Sequence, residues 1–152
     1  MNNLDDQACL FCRIANLRVS SHVVYDSEKV LAFLDINPIR IGHVQVIPRH
    51  HFPYFDAIPA EVATEILTVG QKLAPVLRRL FAVERVAFLF TGGDIAHAHA
   101  HVVPLVESTD ITSRQYIVEP NVTFRNAPRV SEAQLAVTAD VIRCGLREAS
   151  LA

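Results

Sequence analysis

The chain has 152 residues, a length that fits one ordinary domain with a single sizeable core. Hydrophobic residues make up 51% and charged residues 20%, which excludes a disordered chain. The net charge of −2 excludes the broad basic field that grasps nucleic acid or a membrane surface, but small anions need only a few local donors.

The opening MNNLDDQACL lacks a charged segment followed by an apolar one, and no apolar run approaches a membrane span, so a cytoplasmic protein is expected. After CLFCRIAN, HVVYDSEKVLAFLDINP reads as a strand, a DSE turn and a second strand, VLAFLD. Asn-Pro ends that strand, because the residue before proline is pushed toward extended backbone. Beyond the turn at Gly42, HVQVIP alternates over a third strand that stops at Pro48. In IPAEVATEILTVGQKLAPVLRRLF, residues Val62, Ile66, Val69, Leu73, Leu77 and Leu80 recur near every 3.6 positions, the period of a helix. Pro75 in its interior removes a backbone donor and is expected to kink or divide it. RVAFLF reads as a buried strand, TGGD as a turn, and IAHAHAHVVPLV as a further strand. Asp110 to Val130 is polar and irregular, and SEAQLAVTADVIRCGLREASL is a final helix with Ser131 as its N-cap. There is no internal repeat. These elements sum to an α+β fold with a mainly antiparallel sheet, one long helix and a C-terminal helix.

Six of the seven histidines fall in two short segments, His43, His50 and His51 in one and His97, His99 and His101 in the other. On a strand the last three share one face and their alanines the other, with imidazoles starting about 6.6 Å apart at the backbone. At that spacing they do not all charge together, so at least one stays neutral near pH 7. A neutral imidazole is a nucleophile, a base or a metal ligand. The face therefore reads as a catalytic site for an anionic substrate, a metal site of three histidines, or an incidental polar surface. The three cysteines are Cys9, Cys12 and Cys144. An odd count with one CxxC pair does not suit a secreted disulfide framework; the pair reads as a metal half-site, a redox pair or chance.

HAHAHVV fits the His-x-His-x-His-x-x signature of histidine-triad proteins, and from Cys9 to about Leu105 the chain resembles that family. VLAFLDINPIRIGHVQVIPRHH is similar to its second block, and CLFC to the cysteine pair of its zinc-bearing branch. The chain is read as a histidine-triad domain over residues 1–110 and a C-terminal extension, 111–152, which lies outside the resemblance and is expected to pack on the same domain. The resemblance implies a five-stranded sheet that continues into a partner's sheet in a homodimer. The implied activity is hydrolysis or transfer at the α-phosphorus of nucleoside phosphoramidates, adenylates or dinucleoside polyphosphates, through a covalent nucleotidyl-histidine. A catalytically weak nucleotide-binding or scaffold protein of the same fold is the alternative. His99 is then the nucleophile, His101 the proton donor and phosphate contact, and His43 the buttress behind them. Asp35 matches the ribose-binding carboxylate, a good partner for a vicinal diol, with Phe33 and Ile36 beside the base. Thr91, Gly92 and Gly93 stand where the family places its phosphate donors. The family's Gln-Ser or Gln-Thr pair is absent and Asp94 adds negative charge there. Cys9, Cys12, His51 and His97 match the ligands of a structural zinc, with His50 the neighbouring alternative to His51.

Overall fold

The computed structural model describes residues 8–91, 95–107, 110–111 and 129–151. Five strands form one antiparallel sheet: β1 (Val23–Asp26), β2 (Val30–Leu34), β3 (Val44–Pro48), β4 (Arg85–Phe90) and β5 (Ala100–Leu105), in the order β1-β2-β3-β5-β4. Three helices accompany it: α1 (Leu10–Ala15), α2 (Ala60–Phe81) and α3 (Glu132–Leu151). The fold is α+β. Among the described residues no helix is long and apolar enough to cross a membrane.

Alternation along the central strands divides the core in two. Val30, Ala32, Leu34, Val44, Val46, Ala100 and Val102 point to one face, against Ile66, Val69, Leu73 and Leu77 of α2 and Leu135, Ala139 and Ile142 of α3. Leu31, Phe33 and Ile47 point to the other face, against Phe11, Ile14 and Ala15 of α1. Every residue of β2 and β3 is buried, since both faces are covered. Arg49, just past β3, fastens α1 down: its guanidinium donates to the carbonyls of Ala15 and Ser27 and to the Asp26 carboxylate.

Three sequence expectations need correcting. Pro75 does not divide the long helix, which runs unbroken from Ala60 to Phe81. Proline lies on its exposed side, next to exposed Gln71 and Lys72, where water can satisfy the released carbonyl. RVAFLF is not a buried strand but β4, one of the sheet's two edge strands, half-buried from Val86 to Phe90. The third correction concerns β5, which begins at Ala100 rather than at the first histidine, so only His101 lies within it. In the β3–β5 register, Val46 faces Ala100, so the next rung would set Ala98 opposite Pro48. Proline has no N–H for that rung. The Ala98 N–H instead reaches the Phe52 carbonyl at 2.6 Å, and the chain carrying His97 and His99 leaves the ladder.

Two local features follow the sequence closely. Ser131 caps α3, its Oγ accepting from the Gln134 N–H at 3.3 Å. Gly42 turns the chain into β3 with φ +91°, a conformation open to glycine, and a Cβ there would collide with the Phe81 ring at the end of α2. The helix thereby packs directly on the turn that precedes His43.

Leu73 is fully buried between the sheet and the two long helices. Leu73→Ala should lower unfolding free energy by about 2–5 kcal/mol, measured by chemical denaturation.

Candidate active site and metal centre

The face of the sheet covered by α1 carries both clusters of chemistry. In one, Cys9 and Cys12 come from the start of α1, His51 from the segment after β3, and His97 from the approach to β5. Their ligand atoms all lie within 4.8 Å of one another. The His97 Nδ1 is 3.5 Å from the Cys9 Sγ and 3.4 Å from the Cys12 Sγ, and the His51 Nδ1 is 3.3 Å from the Cys12 Sγ. Metal–sulfur and metal–nitrogen bonds of about 2.3 and 2.1 Å give a tetrahedron with sulfur–nitrogen edges of about 3.6 Å. The cluster therefore has the dimensions and donors to hold a metal ion. His97 donates from Nε2 to the Pro48 carbonyl at 3.0 Å, which turns the Nδ1 lone pair toward the two sulfurs. His50, next to His51, is exposed and outside the cluster.

The other cluster lines an open cleft of about 630 Å³. His99 is buried, and its Nδ1–H donates to the His97 carbonyl at 2.6 Å. Its remaining basic position is Nε2. Phe11 lies edge-on to both His97 and His99, with ring centres 5.9 and 5.2 Å away, so one aromatic side chain braces the two rings. The three triad histidines therefore diverge in use: His97 joins the sulfurs, while His99 and His101 line the cleft with their ring centres 5.0 Å apart.

Hydrogen bonding assigns the protons on the remaining rings. The Ile39 N–H points to the His43 Nδ1 at 3.3 Å, so His43 carries its proton on Nε2 and donates to the His101 Nδ1 at 2.9 Å. His101 then carries its proton on Nε2, 2.7 Å from the Thr91 hydroxyl. Burial pushes His43 down to about 4, against the pull of Asp35 and with help from His101 and His99. Burial also lowers His101, again with His99 assisting and Asp35 opposing. Both rings are neutral near pH 7.

Asp35 leaves the end of β2 and borders the cleft, with its Oδ1 held by the Asn37 N–H at 2.7 Å. Phe33 and Ile36 line the same cleft, Phe33 buried and Ile36 exposed. The described residues thus bring together Asp35, Phe33, Ile36, Thr91, His99 and His101 around one opening, with His43 behind. Gly92 and Gly93 lie outside the described residues. Sequence reasoning missed Leu10, Ile14 and Val19, which wall the cleft from α1 and its exit, and the 2.7 Å hydrogen bond between His22 and Glu132 on its rim. It also missed Gln45, whose amide nitrogen lies 2.7 Å from the Asp35 Oδ2 and 3.1 Å from the His101 Nδ1. A polar residue amid the apolar VQVIP of a doubly covered strand was the available signal.

A family model for the HIT domain matches residues 16–108. The chain is 35% identical over 103 residues to an uncharacterized HIT-like protein of Methanocaldococcus jannaschii, covering 65% of this chain and 80% of that one. It is 31% identical over 104 residues to the adenosine 5'-monophosphoramidase of Saccharomyces cerevisiae, covering 65% of this chain and 63% of that protein. The crystal structure of a Zn-bound histidine triad family protein from Mycobacterium smegmatis has the same fold, with a TM-score of 0.73 over 96% of this chain and 98% of that one, at 24% identity.

The lowered proton affinity of His43 has a signed consequence. Between pH 6.5 and about 4 the unfolded chain binds a proton on His43 that the folded chain resists, so stability falls as pH falls through that window. Denaturation curves across this range should show a shallower decline for His43→Asn than for the unchanged protein.

Proposed function

The chain belongs to the HIT domain family, and on that premise we propose that it is a nucleotide hydrolase or nucleotidyltransferase acting at the α-phosphorus of nucleoside phosphoramidates, adenylates or dinucleoside polyphosphates. One observation carries the proposal: His99 Nδ1–H is tied to the His97 carbonyl, so the basic Nε2 belongs to a residue lining a cleft of nucleotide size. The phosphoramidase activity named for the yeast relative supports the same class of substrate.

In this mechanism the His99 Nε2 lone pair forms a bond to phosphorus as the bond from phosphorus to the leaving group breaks. His101 protonates the departing amine or oxygen from Nε2. An anionic substrate counters the burial that keeps His101 neutral, because a nearby negative charge favours the protonated ring. The extra proton resides on the His43–His101 pair. Water then attacks the nucleotidyl-histidine, its proton returns to His101, and His99 leaves as a neutral ring. Asp35 receives the ribose hydroxyls, and Phe33 and Ile36 lie beside the base. Thr91, a hydroxyl within reach of the His101 Nε2, is the phosphate donor that this chain offers in place of an amide side chain.

Zinc suits the cysteine–histidine cluster, since two thiolates and two imidazoles are a donor set it prefers. Cys9, Cys12, His51 and His97 would hold it, and a closed set of four leaves it a structural ion that ties α1 to the approach to β5. A homodimer joined through β4 fits the half-buried outer strand, whose edge away from β5 has no partner strand among the described residues.

His99→Asn preserves volume and a polar tip, so nucleotide binding should change by about 1 kcal/mol while turnover falls by about three orders of magnitude or more. A mass spectrum of the unchanged protein with an adenylated amine should show a nucleotidyl adduct that is absent from the variant. Tight nucleotide binding with neither adduct nor turnover would favour the weakly catalytic alternative. Elemental analysis should find about one zinc per chain. Replacing Cys9 and Cys12 by serine together should abolish it, and full occupancy in that double variant would overturn the assignment.

A further inference from the structure

We propose that Gln45 is a positioning residue that couples the sugar-binding carboxylate to the proton donor; the proposal rests on the enzymatic reading of the same cleft. Register puts Gln45 of β3 opposite Phe33 of β2 and opposite His101 of β5, so the three form one row across the sheet. The row lies on the cleft face, the side toward which Leu31 and Ile47 also turn. Within it, a single amide nitrogen reaches both the Asp35 Oδ2, at 2.7 Å, and the His101 Nδ1, at 3.1 Å. The carboxylate fixes which way round the amide sits. Turned about, the amide oxygen would face the Asp35 oxygen at hydrogen-bond distance, and two acceptors repel.

The position makes a polar residue expensive. Gln45 is 5% exposed, and its Oε1 is buried with no hydrogen-bond partner. A buried acceptor left unmet destabilises a fold, and an apolar side chain of the same shape would avoid it. The neighbours Val44, Val46 and Ile47 show what this strand otherwise accepts. What glutamine adds is the pair of N–H donors. Asp35 is held at Oδ1 by the Asn37 backbone and at Oδ2 by Gln45, which sets the plane it offers to a vicinal diol. A diol drawing on Oδ2 shifts the amide, and the amide's other hydrogen is directed at the ring that protonates the leaving group. His43 sets the same ring from its own side but does not reach the sugar through an amide.

Gln45→Leu removes both donors while retaining an apolar shape suited to the strand, and Gln45→Met serves as a second variant should the first melt early. The substrates are an adenosine 5'-phosphoramidate with an alkylamine leaving group and its 2'-deoxy counterpart. In the unchanged protein, loss of the 2'-hydroxyl should lower kcat about tenfold, because the sugar contact no longer sets His101. In Gln45→Leu the ribo and deoxy substrates should converge to within about twofold in kcat while still differing in KM. A variant that merely loosened the fold would slow both substrates alike and keep the ratio. An unchanged deoxy penalty in the variant, or none in the unchanged protein, overturns the coupling. A second readout is independent of turnover. Adenosine monophosphate should shift the His101 Nδ1 nitrogen resonance more than its 2'-deoxy form does, and Gln45→Leu should erase that difference. Absence of turnover and adduct with the resonance coupling intact would count against the enzymatic reading and leave the role of Gln45 standing; a resonance difference that survives in Gln45→Leu would remove that role.

Discussion

The hydrogen bond from the His97 ring to the Pro48 carbonyl is the constraint on which the rest of the site depends. A neutral imidazole has one proton, and committing it at Nε2 gives Nδ1 to the two sulfurs. With the ring held there, the His97 main-chain carbonyl becomes the acceptor for His99 Nδ1–H, which in turn decides the nitrogen left on His99. The segment from His97 to His99 is free to make these contacts because Pro48 ends the β3–β5 ladder. Phe11 then braces both rings from α1, so the helix that carries the cysteines also supports the cleft.

Two neutral rings and one carboxylate set the electrostatics of the cleft face. His43 and His101 are held uncharged chiefly by burial, and the acid that faces them, Asp35, has both oxygens engaged by N–H donors. Such a surface meets a phosphate without the solvation cost of a permanent cation, and gains charge as the substrate supplies it. Arginine–carboxylate pairs lie elsewhere. Arg40 holds Asp110 down to about 2, chiefly through their hydrogen bonds, and the same carboxylate receives the Val106 and Glu107 N–H groups, fixing the chain where it leaves β5.

Periodicity made the strands and the core stripe of α2 legible, because alternation and 3.6-residue spacing come from what burial on one face requires. The positions of the outer strand and of the β5 start were not legible. RVAFLF is as apolar as a central strand, and strand order is set by long-range pairing that local pattern does not encode. HAHAHVVP reads as an unbroken strand, because its pattern does not show that the rung after Val46–Ala100 would fall on Pro48, fifty positions from Ala98. The cysteine–histidine cluster joins positions 88 apart and entered the sequence reading only through family resemblance. Asp35 was readable as a carboxylate after a strand. Gln45 was not, since its meaning lies in two partners, ten and fifty-six positions away, that only the folded sheet supplies.

The contact between Gly42 and Phe81 gives α2 a reach beyond the main core. With no Cβ at the turn, the aromatic ring at the helix end sits on the backbone that delivers His43. The buttress histidine is thus set against the end of a 22-residue helix packed on the sheet. The seat of His43 is therefore set by the end of α2 at the turn as well as by its hydrogen bond to His101. Through that contact the placement of the two rings is referred to the packing of the main core.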